Sequence, residues 1–217
     1  MNRRNFLTAT AVGVAQMASA QRVPEAIRNL RPMTGGIQPV TDDERHARME
    51  KARRLMRENK IGAIVLEGGS SLFYYTGTRW PQSDRTFAWV LPAAGEPVWI
   101  VPEGDRDRAR RAIRMGSDLR TWKEDESPYK KVAQALKDRG GAERVGLEER
   151  VRFAVFDGLR KEAPGLEFVS GDPVTVGCRV IKSPAEIALL QRANDITLAA
   201  YKAAFPTMHE GMPQQEL

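Results

Sequence analysis

The stretch IGAIVLEGG at residues 61–69 decides the fold class. Six apolar or small residues are followed by one glutamate and then by two glycines. A short apolar run with β-branched residues, ended by glycines, is typical of a strand that is buried on both faces. Such strands occur in sheets covered by helices on both sides. The stretch therefore predicts a central strand of an α/β domain.

The segments on either side of this run extend the prediction. Thr41 is a good helix cap, Glu44 follows three residues later, and apolar residues at helical spacing continue to residues 59–60. After the run, strands are predicted near 72–76, 87–91 and 98–101, the last two joined by a tight connection at 93–96. These consecutive strands indicate an antiparallel or meandering arrangement.

Helical and strand patterns alternate in the next part of the chain. Helices are predicted near 103–115, 128–139 and 152–162, with strands at 119–122, 145–147 and 166–169. A meander followed by βα alternation predicts a mixed β-sheet flanked by helices. We expect one α/β domain over residues 41–181.

A helix start follows that domain at RVIKSPAEIALLQRAND, residues 179–195. Ser183 can cap, Pro184 suits the first helical position, and Glu186 completes a capping box. The helix carries a mostly apolar stripe that needs a covering surface, and its members are Ile187, Leu190, Asn194, Leu198, Tyr201 and Phe205. We expect residues 182–217 to begin a second domain.

The first twenty residues read as an export signal. Arg3 and Arg4 precede a short, weakly apolar run that ends in Ala18, Ser19 and Ala20. The stretch NRRNFLT resembles the twin-arginine signature, which predicts export to the periplasm or the extracellular space. We expect cleavage after Ala20, a proline-rich linker over residues 21–40, and no membrane span after cleavage.

Charge and composition exclude several other functions. Loss of Arg3 and Arg4 lowers the formal charge from +6 to +4, which gives little support to nucleic acid binding. The single cysteine, Cys178, excludes an intramolecular disulfide. The glycine pair at residues 68–69 lacks the patterns of nucleotide-binding loops, so a plain turn at the end of a strand explains it.

Three stretches in order resemble a known family. They are ERHARMEKARRLMRENKIGAIVL at 44–66, LFYYTGTRW at 72–80 and RVIKSPAEIALLQRA at 179–193. They look like successive landmarks of the N-terminal domain of creatinase, prolidase and aminopeptidase P, followed by the first helix of the pita-bread catalytic domain. The resemblance implies a hydrolase family of metal-dependent Xaa-Pro peptidases, with relatives that act on creatine-like substrates.

The resemblance also implies a dinuclear metal site outside this sequence. In the family, two Asp, one His and two Glu of the pita-bread domain hold two divalent ions, which we expect to be manganese, zinc or cobalt. Here the only histidines are His46 and His209, and neither has metal-ligand spacing around it. We therefore expect no metal site, no cofactor and no catalytic residues in the 217 residues, and no activity from them alone.

The resemblance further implies two roles for this domain: oligomerisation, as a dimer or a larger assembly, and the edging of a neighbouring subunit's active site for proline-containing peptides. The candidate segment is the connection at residues 77–85, which is longer than a tight hairpin. Its candidate substrate-edge residues are Tyr75, Arg79, Trp80 and Arg85, since arginine can fork a carboxylate and an exposed tryptophan can pack a proline ring. The alternative is that Trp80 packs under the loop and the charges are only solvated.

Two functions therefore remain open. The first is the non-catalytic N-terminal part of an exported Xaa-Pro peptidase-like protein, whose catalytic domain would continue beyond Leu217. The second is a complete binding or assembly protein on the same scaffold, which would have to hide the apolar stripe by self-association.

Overall fold

The computed structural model describes residues 23–214 of the 217. The predicted export signal and its cleavage site at Ala20 lie outside these residues. The described chain forms two compact units, one of residues 39–183 and one that combines residues 23–38 with residues 184–214. No helix within 23–214 is long and apolar enough to cross a membrane.

The larger unit is built on one six-stranded mixed sheet. Its strands are β1 (Ala63–Glu67), β2 (Ala88–Pro92), β3 (Val98–Pro102), β4 (Asp118–Trp122), β5 (Arg144–Leu147) and β6 (Glu167–Ser170), in the spatial order β4-β3-β2-β1-β5-β6. The β1–β2 and β2–β3 pairs are antiparallel, whereas β3–β4, β1–β5 and β5–β6 are parallel. The predicted mixed sheet is confirmed. Its antiparallel meander is β1–β2–β3, so the strands expected near 87–91 and 98–101 belong to it and the segment 72–76 does not.

Helices cover both faces of this sheet. They are α2 (Asp42–Glu58), α3 (Ser70–Thr76), α4 (Arg106–Ala112), α5 (Pro128–Asp138), α6 (Phe153–Glu162) and α7 (Asp172–Arg179). The predicted cap of α2 is formed, because the Thr41 hydroxyl accepts from the Glu44 amide at 3.2 Å. The smaller unit holds the short α1 (Glu25–Arg28) and the long α8 (Pro184–Ala204).

Alternation along β1 creates two separate cores. Ile64 and Leu66 point to one face, where they pack with residues of α2, α3, α4 and α7. Ala63 and Val65 point to the other face, which α5 and α6 cover. All five residues of β1 are buried, as the apolar run predicts for a central strand.

The predicted strand at 72–76 is wrong, because these residues belong to α3. Aromatic residues favour strands, but Leu72, Tyr75 and Thr76 are buried with the spacing of one helical face. Packing against the first core therefore overrides local propensity. The helix ends at Gly77, whose φ of +69° is left-handed and favours glycine.

Two other elements differ from the predictions. The helix predicted over 103–115 is a 3₁₀ turn at Glu103–Asp105 followed by α4, which ends at Ala112 where Ile113 becomes extended. Helix α7 was not predicted at all. It buries Val174 and Cys178 in the first core and so closes the larger unit.

In the smaller unit, the segment before residue 39 is not entirely extended. Its α1 packs on α8, and Arg192 donates a hydrogen bond to the Met33 carbonyl at 3.2 Å. The predicted stripe on α8 is largely solvent-exposed in the structure, with Ile187, Leu190 and Leu198 each more than half exposed.

Candidate functional site

The candidate site is the loop at residues 77–85, which connects α3 to β2. Residues 79 and 81–85 are exposed, whereas Thr78 and Trp80 are buried. Two buried side chains therefore hold the loop to the domain, and its remaining residues are exposed to solvent. A fixed loop can present side chains without a large entropic cost on binding.

The first anchor of the loop is Thr78. Its amide donates to the Thr76 hydroxyl at 3.1 Å, and its own hydroxyl donates to the Ala112 carbonyl at 3.4 Å. These bonds tie the start of the loop to the end of α3 and the end of α4. The loop therefore leaves α3 in a defined direction.

The second anchor is Trp80, which is 6% exposed. Its ring stacks on Phe87 with centroids 4.1 Å apart, and the guanidinium carbon of Arg108 lies 4.3 Å from the centre of the same ring. Beside it, the Trp80 carbonyl is so close to Gly68 that a Cβ there would lie 2.6 Å away. Gly68 is therefore required for the loop to sit on the end of β1.

The third anchor is an ion pair under the loop tip. Glu67, the last residue of β1, is 2% exposed, and its Oε1 lies 2.5 Å from Nη2 of Arg152. Nη1 of Arg152 also donates to the Ser83 carbonyl. The pair thus joins the loop to the sheet. Because Glu67 is buried, its charge-assisted hydrogen bonds fix the Arg152 side chain that contacts the loop.

Sequence reasoning missed this ion pair, although one signal was present. A charged residue at the end of the buried run 61–67 needs a partner, because an unpaired buried carboxylate is costly. The position of Arg152, 85 residues later, could not be found from spacing.

The structure places the four predicted substrate-edge residues in two groups. Tyr75 and Trp80 are buried in the first core. Tyr75 stacks on Trp89 at 6.0 Å, and burial raises the pKa of its phenol, with Cys178 nearby adding to the shift. Arg79 and Arg85 are exposed. Only the two arginines therefore present polar groups to solvent.

The two arginines have different surroundings. The guanidinium carbon of Arg79 lies 4.4 Å from the centre of the Phe73 ring, a contact that leaves its N–H groups able to bind an acceptor. Arg85 instead pairs with Glu124 at 2.8 Å. Arg79 is therefore the better placed of the two to fork a carboxylate.

The metal site implied by the family resemblance does not fit the described residues. His46 Nδ1 lies 2.9 Å from the Asp42 carbonyl of its own helix, and His209 Nδ1 lies 3.1 Å from the Glu210 carbonyl. Within residues 23–214, no group of three His, Cys, Asp or Glu side chains could hold a metal ion.

Comparison with protein families gives a match over most of the larger unit. The profile of the creatinase/prolidase N-terminal domain matches residues 48–181. These residues include all six strands of the sheet and helices α3 to α7.

Curated relatives share this part of the chain. An uncharacterized peptidase of Schizosaccharomyces pombe is 28% identical over 227 residues, covering 98% of this chain and 49% of that protein. Ectoine hydrolase of Halomonas elongata is 28% identical over 191 residues (82% and 48%), and a Xaa-Pro dipeptidase of Pyrococcus horikoshii is 25% identical over 175 residues (81% and 46%). The chain spans about half the length of these relatives.

Solved structures share the fold. A prolidase from Thermococcus sibiricus superimposes with a TM-score of 0.70 at 21% identity, covering 82% of this chain and 48% of that one. The N-terminal domain of an X-Pro dipeptidase from Streptococcus pyogenes gives 0.52 at 20% identity, covering 60% and 98%. At these identities the likeness concerns the fold alone.

Proposed function

Since the chain belongs to the creatinase/prolidase N-terminal domain family, we propose that it is the non-catalytic N-terminal portion of an exported Xaa-Pro peptidase-like protein. In this role the larger unit supports oligomerisation, and its loop at 77–85 edges an active site whose chemistry lies elsewhere. The match to residues 48–181 is the observation that carries the proposal.

The geometry of the loop supports the edging role. Three anchors fix the loop, and Arg79 stands exposed above Phe73. An Xaa-Pro dipeptide ends in a carboxylate, which a guanidinium group binds through two parallel hydrogen bonds. In this proposal Arg79 orients the substrate by that contact, while Trp80 and Tyr75 hold the loop and α3 in place.

The chemistry of hydrolysis requires groups outside residues 23–214. Two divalent ions, manganese, zinc or cobalt, would bind carboxylates and an imidazole that the described residues do not bring together. In this proposal the chain orients the substrate and helps to select it, and the groups that cleave the bond lie elsewhere.

An assay of the 217-residue chain tests the non-catalytic role. The purified chain is incubated with manganese or zinc and then with the dipeptide Ala-Pro, and both bound metal and released proline are measured. We expect no stoichiometric metal and no proline above background. Stoichiometric metal together with turnover would overturn the proposal.

Light scattering separates this proposal from a complete assembly protein. The exposed stripe on α8 includes Ile187 and Leu198. If a missing partner domain covers this stripe, the isolated chain should aggregate or show a frayed α8 by hydrogen exchange. A discrete dimer with one cooperative melting transition would instead favour the assembly protein.

A further inference from the structure

Strands β1 and β5 are parallel neighbours in the sheet. The helices that follow them cover opposite faces of the sheet. Helix α3, which follows β1, packs in the first core, whereas α6, which follows β5, packs in the second. In open α/β sheets, this change of direction between neighbouring parallel strands leaves a crevice outside their carboxyl ends, where ligands bind.

A cleft of about 440 Å³ lies at this point of the sheet. Its first wall is the segment immediately after β1, its second is the segment immediately after β5, and its third is the loop at 77–85. The lining residues are Gly68, Gly69, Ser70, Gln82, Glu148 and Arg150. The cleft thus has backbone, amide, carboxylate and guanidinium groups within the volume of a small polar molecule.

The charges around the cleft are only partly balanced. Glu67 beneath it is paired with Arg152. Glu148, in contrast, forms no direct ion pair within residues 23–214, and the positive charges that act on it are those of Arg179 and Arg150. Loss of water raises the pKa of Glu148 above its ordinary value, and the charge of Glu67 adds to the shift. The hydrogen bond from Ser71 and the charges of Arg179 and Arg150 oppose it only in part.

A half-buried carboxylate that forms no direct ion pair gains from a ligand that brings a positive charge and N–H donors. A charge-assisted hydrogen bond from an ammonium group replaces the lost hydration and favours the ionised form of the carboxylate. Gln82 and Arg150 can donate to a carbonyl or carboxylate oxygen, so the same ligand can be held at both ends.

We propose that this crevice binds a small α-amino compound, an amino acid or its amide, with the ammonium group on Glu148 and the oxygen end towards Gln82 and Arg150. The site goes beyond the proposed function and uses neither Arg79 nor Arg85. Gly69 in this wall has a φ of +150°, which favours glycine, and no atom lies within 4 Å of the place that a Cβ would take.

The experiment is a titration of the ¹⁵N-labelled full chain with glycinamide, followed through the amide resonances of Gly68, Gly69 and Ser70. A pH near 6.5 keeps the probe protonated, since α-amino groups have pKa values of about 7.7–8.0. Acetamide, which lacks the ammonium group, is the matched probe. We expect saturable shifts with glycinamide and none with acetamide at the same concentration.

Two variants localise the binding. Glu148→Gln should weaken glycinamide binding by about tenfold or more, the loss of one charge-assisted contact. Glu149→Gln removes the same charge from the exposed neighbouring residue and should bind as the unmodified chain does. If Glu148→Gln fails to fold, Ser70→Leu fills the cleft from the opposite wall and should abolish the shifts while Glu148 stays charged.

The proposal fails if the unmodified chain shows no saturable shift, or if acetamide shifts the same resonances as strongly. It also fails if a folded Glu148→Gln chain binds glycinamide as tightly as the unmodified chain, or if binding survives Ser70→Leu. Because the readout is binding by the chain itself, these outcomes are independent of whether the chain belongs to a peptidase.

Discussion

Arg152 covers the carboxylate of Glu67, with Nη2 2.5 Å from Oε1 and Nε 3.2 Å from the same oxygen. The Arg152 amide adds a hydrogen bond to Oε2 at 3.4 Å. The two residues are 85 positions apart, one at the end of β1 and one immediately before α6. This contact joins the sheet, α6 and, through the Ser83 carbonyl, the candidate loop.

The two halves of this pair should respond unequally to mutation. Arg152→Met leaves the buried Glu67 carboxylate without its guanidinium partner and with only the backbone amide of residue 152, which should lower the free energy of unfolding by about 3–5 kcal/mol. Glu67→Gln leaves Arg152, whose side chain is 32% exposed and can turn to water, and should cost about 1–3 kcal/mol. Urea unfolding measures both. Equal losses would contradict the asymmetry in burial.

Trp80→Ala should lower the free energy of unfolding by about 3–5 kcal/mol, because it removes a buried ring that stacks on Phe87. Trp80→Phe keeps most of the stacking and is the control. The second measurement is kcat/KM for Xaa-Pro dipeptides, made on a catalytically active form of the protein. Normal kcat/KM per folded molecule would end a direct role for Trp80 at a substrate, whereas a stable variant with reduced kcat/KM would restore it.

Arg79→Ala should act on substrate rather than on stability. Since the residue is exposed, the free energy of unfolding should change by less than about 0.5 kcal/mol. In the longest form of the protein, kcat/KM for Xaa-Pro dipeptides should fall about 5- to 150-fold, which corresponds to the loss of about 1–3 kcal/mol.

Arg110→Ala is the matched control for Arg79, because it removes an exposed arginine from α4. We expect it to leave kcat/KM unchanged. A similar fall in both variants would indicate a general effect of charge instead of a positioned contact.

Glu148 should make stability depend on pH in a direction opposite to that of a salt-bridged carboxylate. Burial raises its pKa in the folded chain, so the folded state binds the proton more tightly than the unfolded state does. As pH rises from below the ordinary value of 4.5 to above the raised value, this group should therefore lower stability.

Glu148→Gln removes that titration. The variant should match the unmodified chain in acid and become the more stable of the two near neutral pH, as measured by urea unfolding at a series of pH values. Glu149→Gln, at an exposed position, should show no such divergence. If the unmodified chain and Glu148→Gln show the same dependence of stability on pH, the assignment is contradicted.

Replacement of Arg3 and Arg4 by lysines should block export while leaving a folded precursor in the cytoplasm, because the twin-arginine signature requires the arginine pair. Cell fractionation with an antibody against the chain measures the outcome. Unchanged export would refute this signal assignment and leave the fold unaffected.

The sequence alone determined the local architecture of the larger unit. The buried run at 61–67 and the paired strands β2 and β3 follow from apolar patterning, and the cap of α2 follows from Thr41. These features depend on neighbours within a few residues, so patterns of side-chain chemistry reveal them. The ordered landmarks from residue 44 to residue 193 also indicated the family before any contact was known.

Tertiary structure decided what patterning could not. Residues 70–76 form a helix because Leu72 and Tyr75 fill the first core, although their local propensity favours a strand. Trp80 is buried because its ring stacks on Phe87, whereas Arg79 lies over Phe73 and stays exposed. The composition of the loop does not distinguish these two outcomes. The cleft beside Glu148 exists only because β1 and β5 become neighbours across some 80 residues of chain. Long-range contacts of this kind depend on packing between distant segments, and no local spacing in the sequence encodes them.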